Sequence, residues 1–174
     1  MSRLTSTTLI ACLIGCASVA PESPPLAQPL TFADSQRMTQ TATIARDGET
    51  YRMLCILEFG RRGLVLVAFT ELGQRLLTIE YGPDRFTIDL SPVLPDRFDA
   101  KLVLADLQLV YWPLNVLDKS LRAGWSVSQS ATGDMRRLTH DGAVVATVDR
   151  RTDGTIAIER PSMGYNMTIT ATAN

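Results

Sequence analysis

Hairpin turn signals recur along this chain, and each one separates two runs of β-forming side chains. Asp47-Gly48, Gly60-Arg61-Arg62-Gly63, Glu71-Leu72-Gly73-Gln74 and Gly82-Pro83-Asp84 fall in the first half, Asp141-Gly142 and Asp153-Gly154 in the second. An Asp-Gly turn reverses the chain in two residues because glycine takes positive φ without steric cost, so the strands it joins lie antiparallel. Between turns the side chains alternate. Tyr51, Met53, Cys55, Leu57 and Phe59 recur at period two and predict a strand with one face on a core. Leu64 to Phe69 is an unbroken apolar run and predicts a strand covered on both faces. Arg75 to Tyr81 follows, and then Phe86, Ile88 and Leu90 alternate with Thr87 and Asp89.

Pro92 and Pro95 interrupt this pattern. From Ala100 to Trp112 only Lys101, Asp106 and Gln108 are polar, which predicts a buried helix, with a strand as the lesser alternative. Pro113 ends it, and Leu114 to Arg122 reads as a second short helix closed by Gly124. Strands resume over Trp125 to Ser130, Met135 to His140, Ala143 to Arg150, Thr155 to Arg160 and the alternating Tyr165, Met167 and Ile169. The layout predicts an α+β fold that is mostly antiparallel β. It is a curved open half-barrel of about ten strands with a helical insert on its concave side.

The first residues carry a different message. Arg3, the apolar stretch Leu9 to Ile14 and then Leu13-Ile14-Gly15-Cys16 have the order of a secretory signal ending in a lipobox. The stretch is too short to span a bilayer as a helix. Residues 1–15 are therefore expected to leave as a signal peptide, with Cys16 taking a diacylglycerol on sulfur and an acyl chain on its new amine. The alternative is an ordinary signal peptide with an incidental cysteine. The lipobox resembles that of bacterial lipoproteins. With Ala17-Ser18 rather than an aspartate after the cysteine, the resemblance implies delivery by the lipoprotein sorting machinery to the outer membrane, facing the periplasm. Several acyl chains make a stable anchor where one is marginal.

Residues 16–29 read as the lipidated start and a tether. Pro21, Pro24, Pro25 and Pro29 favour extended polyproline backbone at roughly 3 Å per residue, a reach of about 40 Å. Residues 30–174 then form one domain. Without Arg3 the mature chain has 16 basic residues against 18 acidic ones, about −2, which gives no basic field for nucleic acid. Cys55 is the only thiol left besides Cys16, and within Met53-Leu54-Cys55-Ile56-Leu57 it reads as a small buried hydrophobe.

Several short motifs resemble an uncharacterised family of bacterial outer-membrane lipoproteins associated with aryl-polyene gene clusters. They are Leu72-Gly73-Gln74-Arg75-Leu76-Leu77-Thr78-Ile79, Leu104-Ala105-Asp106-Leu107-Gln108-Leu109 with Trp112-Pro113, the Trp125 strand, Arg137-Leu138 and Gly164-Tyr165. The resemblance covers roughly residues 30 to 172. The strand-helix-strand order is also similar to the lipoprotein-localisation factors LolA and LolB, whose half-barrels take acyl chains in an apolar hollow lidded by helices. Neither resemblance supplies a catalytic residue.

The residues argue against an enzyme. His140 is the only histidine, no Gly-x-Ser-x-Gly motif flanks a serine, and Asp141 beside it belongs to a turn, so a solvated hairpin end is expected. Asp96 and Asp99 sit among loop prolines and read as solvated carboxylates rather than an acid–base pair. No metal-ligand spacing and no phosphate loop occur, so no cofactor is expected beyond the covalent lipid on Cys16.

A binding role fits better. Leu104, Leu107, Tyr111 and Trp112 of the insert, with Leu66, Ile79, Phe86 and Trp125 of the strands, are candidates to line a hollow for lipid. The same residues also suit a filled core. Leu72 falls at a hairpin tip, where the similarity to LolB implies an exposed apolar residue that helps insert cargo into the membrane. The doublets Arg61-Arg62, Arg136-Arg137 and Arg150-Arg151 read as a solvated rim, or as contacts to anionic headgroups. The expectation is a non-catalytic outer-membrane lipoprotein that binds an acyl chain, polyene lipid or lipoprotein as hydrophobic cargo and aids its placement in the membrane. The alternative is a structural or accessory lipoprotein with a filled core that recruits envelope protein partners.

Overall fold

The computed structural model describes residues 23–46 and 48–172. The expected signal peptide, Cys16 and Asp47 of the first turn lie outside the described residues. Among the described residues ten strands form: β1 Gln36–Arg46, β2 Glu49–Gly60, β3 Gly63–Phe69, β4 Arg75–Gly82, β5 Arg85–Leu90, β6 Trp125–Gln129, β7 Met135–His140, β8 Ala143–Arg150, β9 Ile156–Arg160 and β10 Tyr165–Ala171. Two helices, α1 Ala100–Tyr111 and α2 Leu114–Ser120, stand between β5 and β6. The strands make one antiparallel sheet in the order β5-β4-β3-β2-β1-β10-β9-β8-β7-β6, open between β5 and β6, as expected of a half-barrel. None of the described helices is long and apolar enough to cross a membrane.

Local chemistry sets the hairpins. Asp141 at φ 48 and Gly142 at φ 80 make the left-handed pair that a two-residue hairpin requires. At the β2–β3 turn, Gly63 has φ 99, and a Cβ there would stand 2.2 Å from the Tyr81 carbonyl oxygen. Only a glycine lets β3 and β4 approach so closely at that end.

The topology sends the chain from one sheet edge to the other between β5 and β6, so the helices must cross the inner face. Asp99 starts α1, its Oδ1 accepting the N–H groups of Lys101 at 2.9 Å and Leu102 at 3.2 Å. The helix is buried almost all round, including Asp106 and Gln108. Its C-terminal carbonyls are taken by two arginines. Arg136 Nη1 donates to Leu109 O at 2.9 Å and Trp112 O at 2.7 Å, and Arg150 Nη2 donates to Val110 O. These members of two doublets therefore point inward rather than forming a solvated rim, because unsatisfied carbonyls and the negative helix end attract them. Arg61, Arg62, Arg137 and Arg151 are exposed.

Other expectations need correction. In β3, Leu64, Leu66 and Ala68 are buried while Val65, Val67 and Phe69 are half-buried, because helices cover one sheet face only. In β2 the inward set holds from Met53 to Phe59, but Tyr51 is 41% exposed at the strand end. The second helix stops at Ser120, and Gly124 instead opens β6 at φ 85, where a Cβ would stand 2.6 Å from Asp141 Oδ1.

The largest correction concerns the tether. Ala27 is buried, and its N–H donates to Gln108 Oε1 at 2.9 Å. Gln108 Nε2 at 2.9 Å and the Tyr81 hydroxyl at 2.5 Å both donate to Ala27 O. Trp112 Nε1 donates to Gln28 O at 2.9 Å, and Phe32 N–H bonds Gly60 O at 3.1 Å. The segment is sewn to the domain from Pro24 onward, so no free tether extends to Pro29. A buried amide aimed at a backbone N–H and C=O together wins over polyproline freedom.

Candidate binding cleft

A cleft of about 460 Å³ opens at one end of the sheet. In an antiparallel sheet the C-terminal end of β1 meets the start of β2, the β3–β4 turn and the start of β10. Ile44, Arg46, Thr50, Tyr51, Arg52, Met53, Thr70, Gln74, Leu76 and Tyr165 therefore form one wall. Opposite them stand the loop after β5, through Val93, Leu94, Pro95, Arg97 and Phe98, and the first turns of α1, through Leu102 and Val103.

The floor is apolar and the rim is charged. Ile44, Met53, Leu76 and Leu102 are buried, whereas Arg52 and Arg97 are exposed. Arg97 reaches across the mouth to Glu49 Oε2 at 3.0 Å, and the Tyr51 hydroxyl donates to the same oxygen. This hydrogen bond to a carboxylate raises the Tyr51 phenol above its ordinary pKa. Arg52 pairs with Glu71 at 3.4 Å. Tyr165 lies at the floor; burial holds its hydroxyl well above the usual phenol range, and it donates to Met167 Sδ at 3.5 Å.

The candidate lining residues gather elsewhere. Leu66, Ile79, Leu104 and Trp112 are almost fully buried in the core cluster with Leu107. Leu66 and Leu107 border a space of about 20 Å³, room for about one water. Tyr111 donates to Gln40 Oε1 at 2.8 Å and packs edge-on against Phe59. Trp125 is buried and stacks on His140 at 4.4 Å. Phe86 is 45% exposed on open edge strand β5, against Tyr81. None of these eight walls the cleft. Leu72 is 97% exposed at the tip between Thr70 and Gln74, both of which do wall it.

His140 is not a solvated hairpin end; its ring covers Trp125 with its side chain 26% exposed. Asp99 is engaged as the α1 cap and Asp96 is exposed. Among the described residues no group of three or more His, Cys, Asp or Glu could hold a metal ion. The cleft residues missed in the sequence are the loop side chains Val93, Leu94 and Phe98 and the inner-face Arg46. The available signal was the placement of Pro92 and Pro95 directly before a buried helix, which forces a loop to cover that sheet end.

Residues 37–173 match the protein family described as "Protein of unknown function (DUF3261)". No curated protein matches the chain.

Proposed function

The chain belongs to the DUF3261 family, whose description assigns no activity, and from that premise we propose that it is a non-catalytic lipid-binding protein of the outer membrane. In this reading Cys16 carries the covalent lipid anchor on the periplasmic face. The cleft holds an acyl or polyene-lipid chain and Leu72 aids its placement in the membrane.

The observation that carries the reading is the 460 Å³ cleft with buried Ile44, Met53, Leu76 and Leu102 at its floor. Ligand sites span about 300–1,000 Å³ and combine an apolar lining with a few polar groups. Leu72 supports the same reading, because a fully exposed leucine on a short hairpin beside the mouth gains by entering an apolar phase. The resemblance of the strand-helix-strand order to LolA and LolB, read from the sequence, would fit a carrier role, and the resemblance of its short motifs to aryl-polyene-associated lipoproteins would fit a polyene chain as one cargo.

Native mass spectrometry of the full chain carrying Cys16→Ser, directed to the periplasm, tests this. The expected result is a mass excess that organic extraction removes and that Val103→Trp, which fills the cleft, prevents. A bare polypeptide mass together with no binding of a fluorescent fatty acid overturns the proposal and favours recruitment of envelope protein partners.

A further inference from the structure

We infer that the cleft selects a single-chain amphiphile with an anionic head, a carboxylate or a phosphate, over a neutral or cationic one of the same length. This deepens the proposed function and rests on it. The first observation is local charge. The whole chain has 17 basic residues against 18 acidic ones, yet the cleft wall holds Arg46, Arg52 and Arg97 against a single carboxylate, Asp99. Asp99 is already engaged, its Oδ1 accepting two N–H groups at the start of α1. The charged groups that face the cleft are therefore mostly guanidinium, with Glu49 and Glu71 pairing Arg97 and Arg52 from outside its lining.

The second observation is the direction of the polarity. The buried floor is apolar, while Arg46 is half-buried and Arg52 and Arg97 stand at the rim. A ligand matching both parts has one apolar tail and one head at the mouth. In the strand register Arg46 lies across from Tyr165 on one side and Glu49 on the other, so its guanidinium sits on the inner face between floor and mouth. Guanidinium groups bind carboxylate and phosphate oxygens through paired donors.

The third observation is the nature of the competing partners. Glu49 and Glu71 hold Arg97 and Arg52 in ion pairs whose side chains are all more than half exposed. Such pairs contribute little in water, so an arriving head that is partly desolvated can replace them.

The test uses the full chain carrying Cys16→Ser and four ligands of one chain length: dodecanoate, dodecyl phosphate, dodecanol and dodecyltrimethylammonium, each displacing a bound fluorescent probe. The expected result is at least about tenfold tighter binding of an anion than of dodecanol, weakening as salt rises. The two anions separate a fatty-acid head from a phosphate head. Arg46→Gln and Arg97→Gln should lower anion affinity toward that of dodecanol while leaving dodecanol binding unchanged. Arg97 is exposed, so its variant keeps the test valid if Arg46→Gln does not fold. Equal or tighter binding of dodecanol or the cation overturns the charge selection and leaves the lipid-binding reading standing. Failure of all four ligands to bind overturns both.

Discussion

Asp106 of α1 and Arg160 of β9 meet in a buried ion pair, with Arg160 Nε donating to Asp106 Oδ1 at 2.9 Å and side chains 0% and 2% exposed. This pair pins the helical layer to the sheet. Breaking a buried pair by removing one partner typically costs about 3–5 kcal/mol, because a bare charge remains. Asp106→Leu is therefore expected to lower stability by about that amount. The double variant Asp106→Leu/Arg160→Met should recover much of the loss. Urea unfolding of the two variants against the parent checks both; a double variant no better than the single would show that the pair does not act as a unit.

Gln108 holds the segment before β1 by two hydrogen bonds to Ala27. Gln108→Leu leaves a buried N–H without its acceptor, and stranded groups of this kind cost about 1–3 kcal/mol each. The expected signature is a lower Tm with new protease cutting between residues 23 and 35. Lower stability without that cutting would assign the loss to the helix alone.

Arg136 closes the C-terminal end of α1 through the carbonyls of Leu109 and Trp112. Arg136→Ala is expected to cost about 1.5–3 kcal/mol, the range for hydrogen bonds to charged groups. Arg137→Ala, exposed in the same doublet, should stay within about 0.5 kcal/mol of the parent. Equal effects in thermal denaturation would refute the distinction between the two neighbours.

Leu72 is nearly free of contacts at 97% exposure. Leu72→Glu should leave stability within about 0.5 kcal/mol of the parent, as surface changes usually do. The same variant should reduce binding to lipid vesicles. A clear fall in Tm would place Leu72 in a contact that the fold does not show.

Cys55 is 7% exposed, and burial pushes its thiol up to about 12 from an ordinary value near 9. The folded state thus favours the protonated thiol. Its contribution to stability is complete below about pH 9 and is lost as pH rises toward about 12. Burial shifts the Tyr81 and Tyr165 phenols upward as well, so they add in the same direction. Stability is expected to fall on the alkaline side, with Cys55→Val reducing the slope. A thiol reagent at pH 8 should label Cys55 slowly in the native chain and at once in urea.

The strands were legible because their causes are local. Asp141-Gly142 reverses the chain through its own backbone angles, and Met53 to Phe59 show their inner face by alternation alone. The partners of polar residues within α1 were not legible. Gln108 meets Ala27 across 81 positions and Asp106 meets Arg160 across 54, so nothing near either residue announces its role. The cleft was hidden for a different reason. The candidate lining residues are large and apolar, and such side chains, Trp112 and Leu104 among them, fill interiors to crystal-like density. Empty space arises where a loop meets strand ends imperfectly, and that depends on where the prolines of residues 91–99 send the chain.

The middle of the sheet is also its latest part to be made. β1 finds β2 through the next hairpin, but its other edge stays open until β10, the last of these strands along the chain, has left the ribosome. Pairing across so long a separation pays its loop-closure entropy late and folds slowly. The half-built chain keeps an unpaired central strand throughout synthesis.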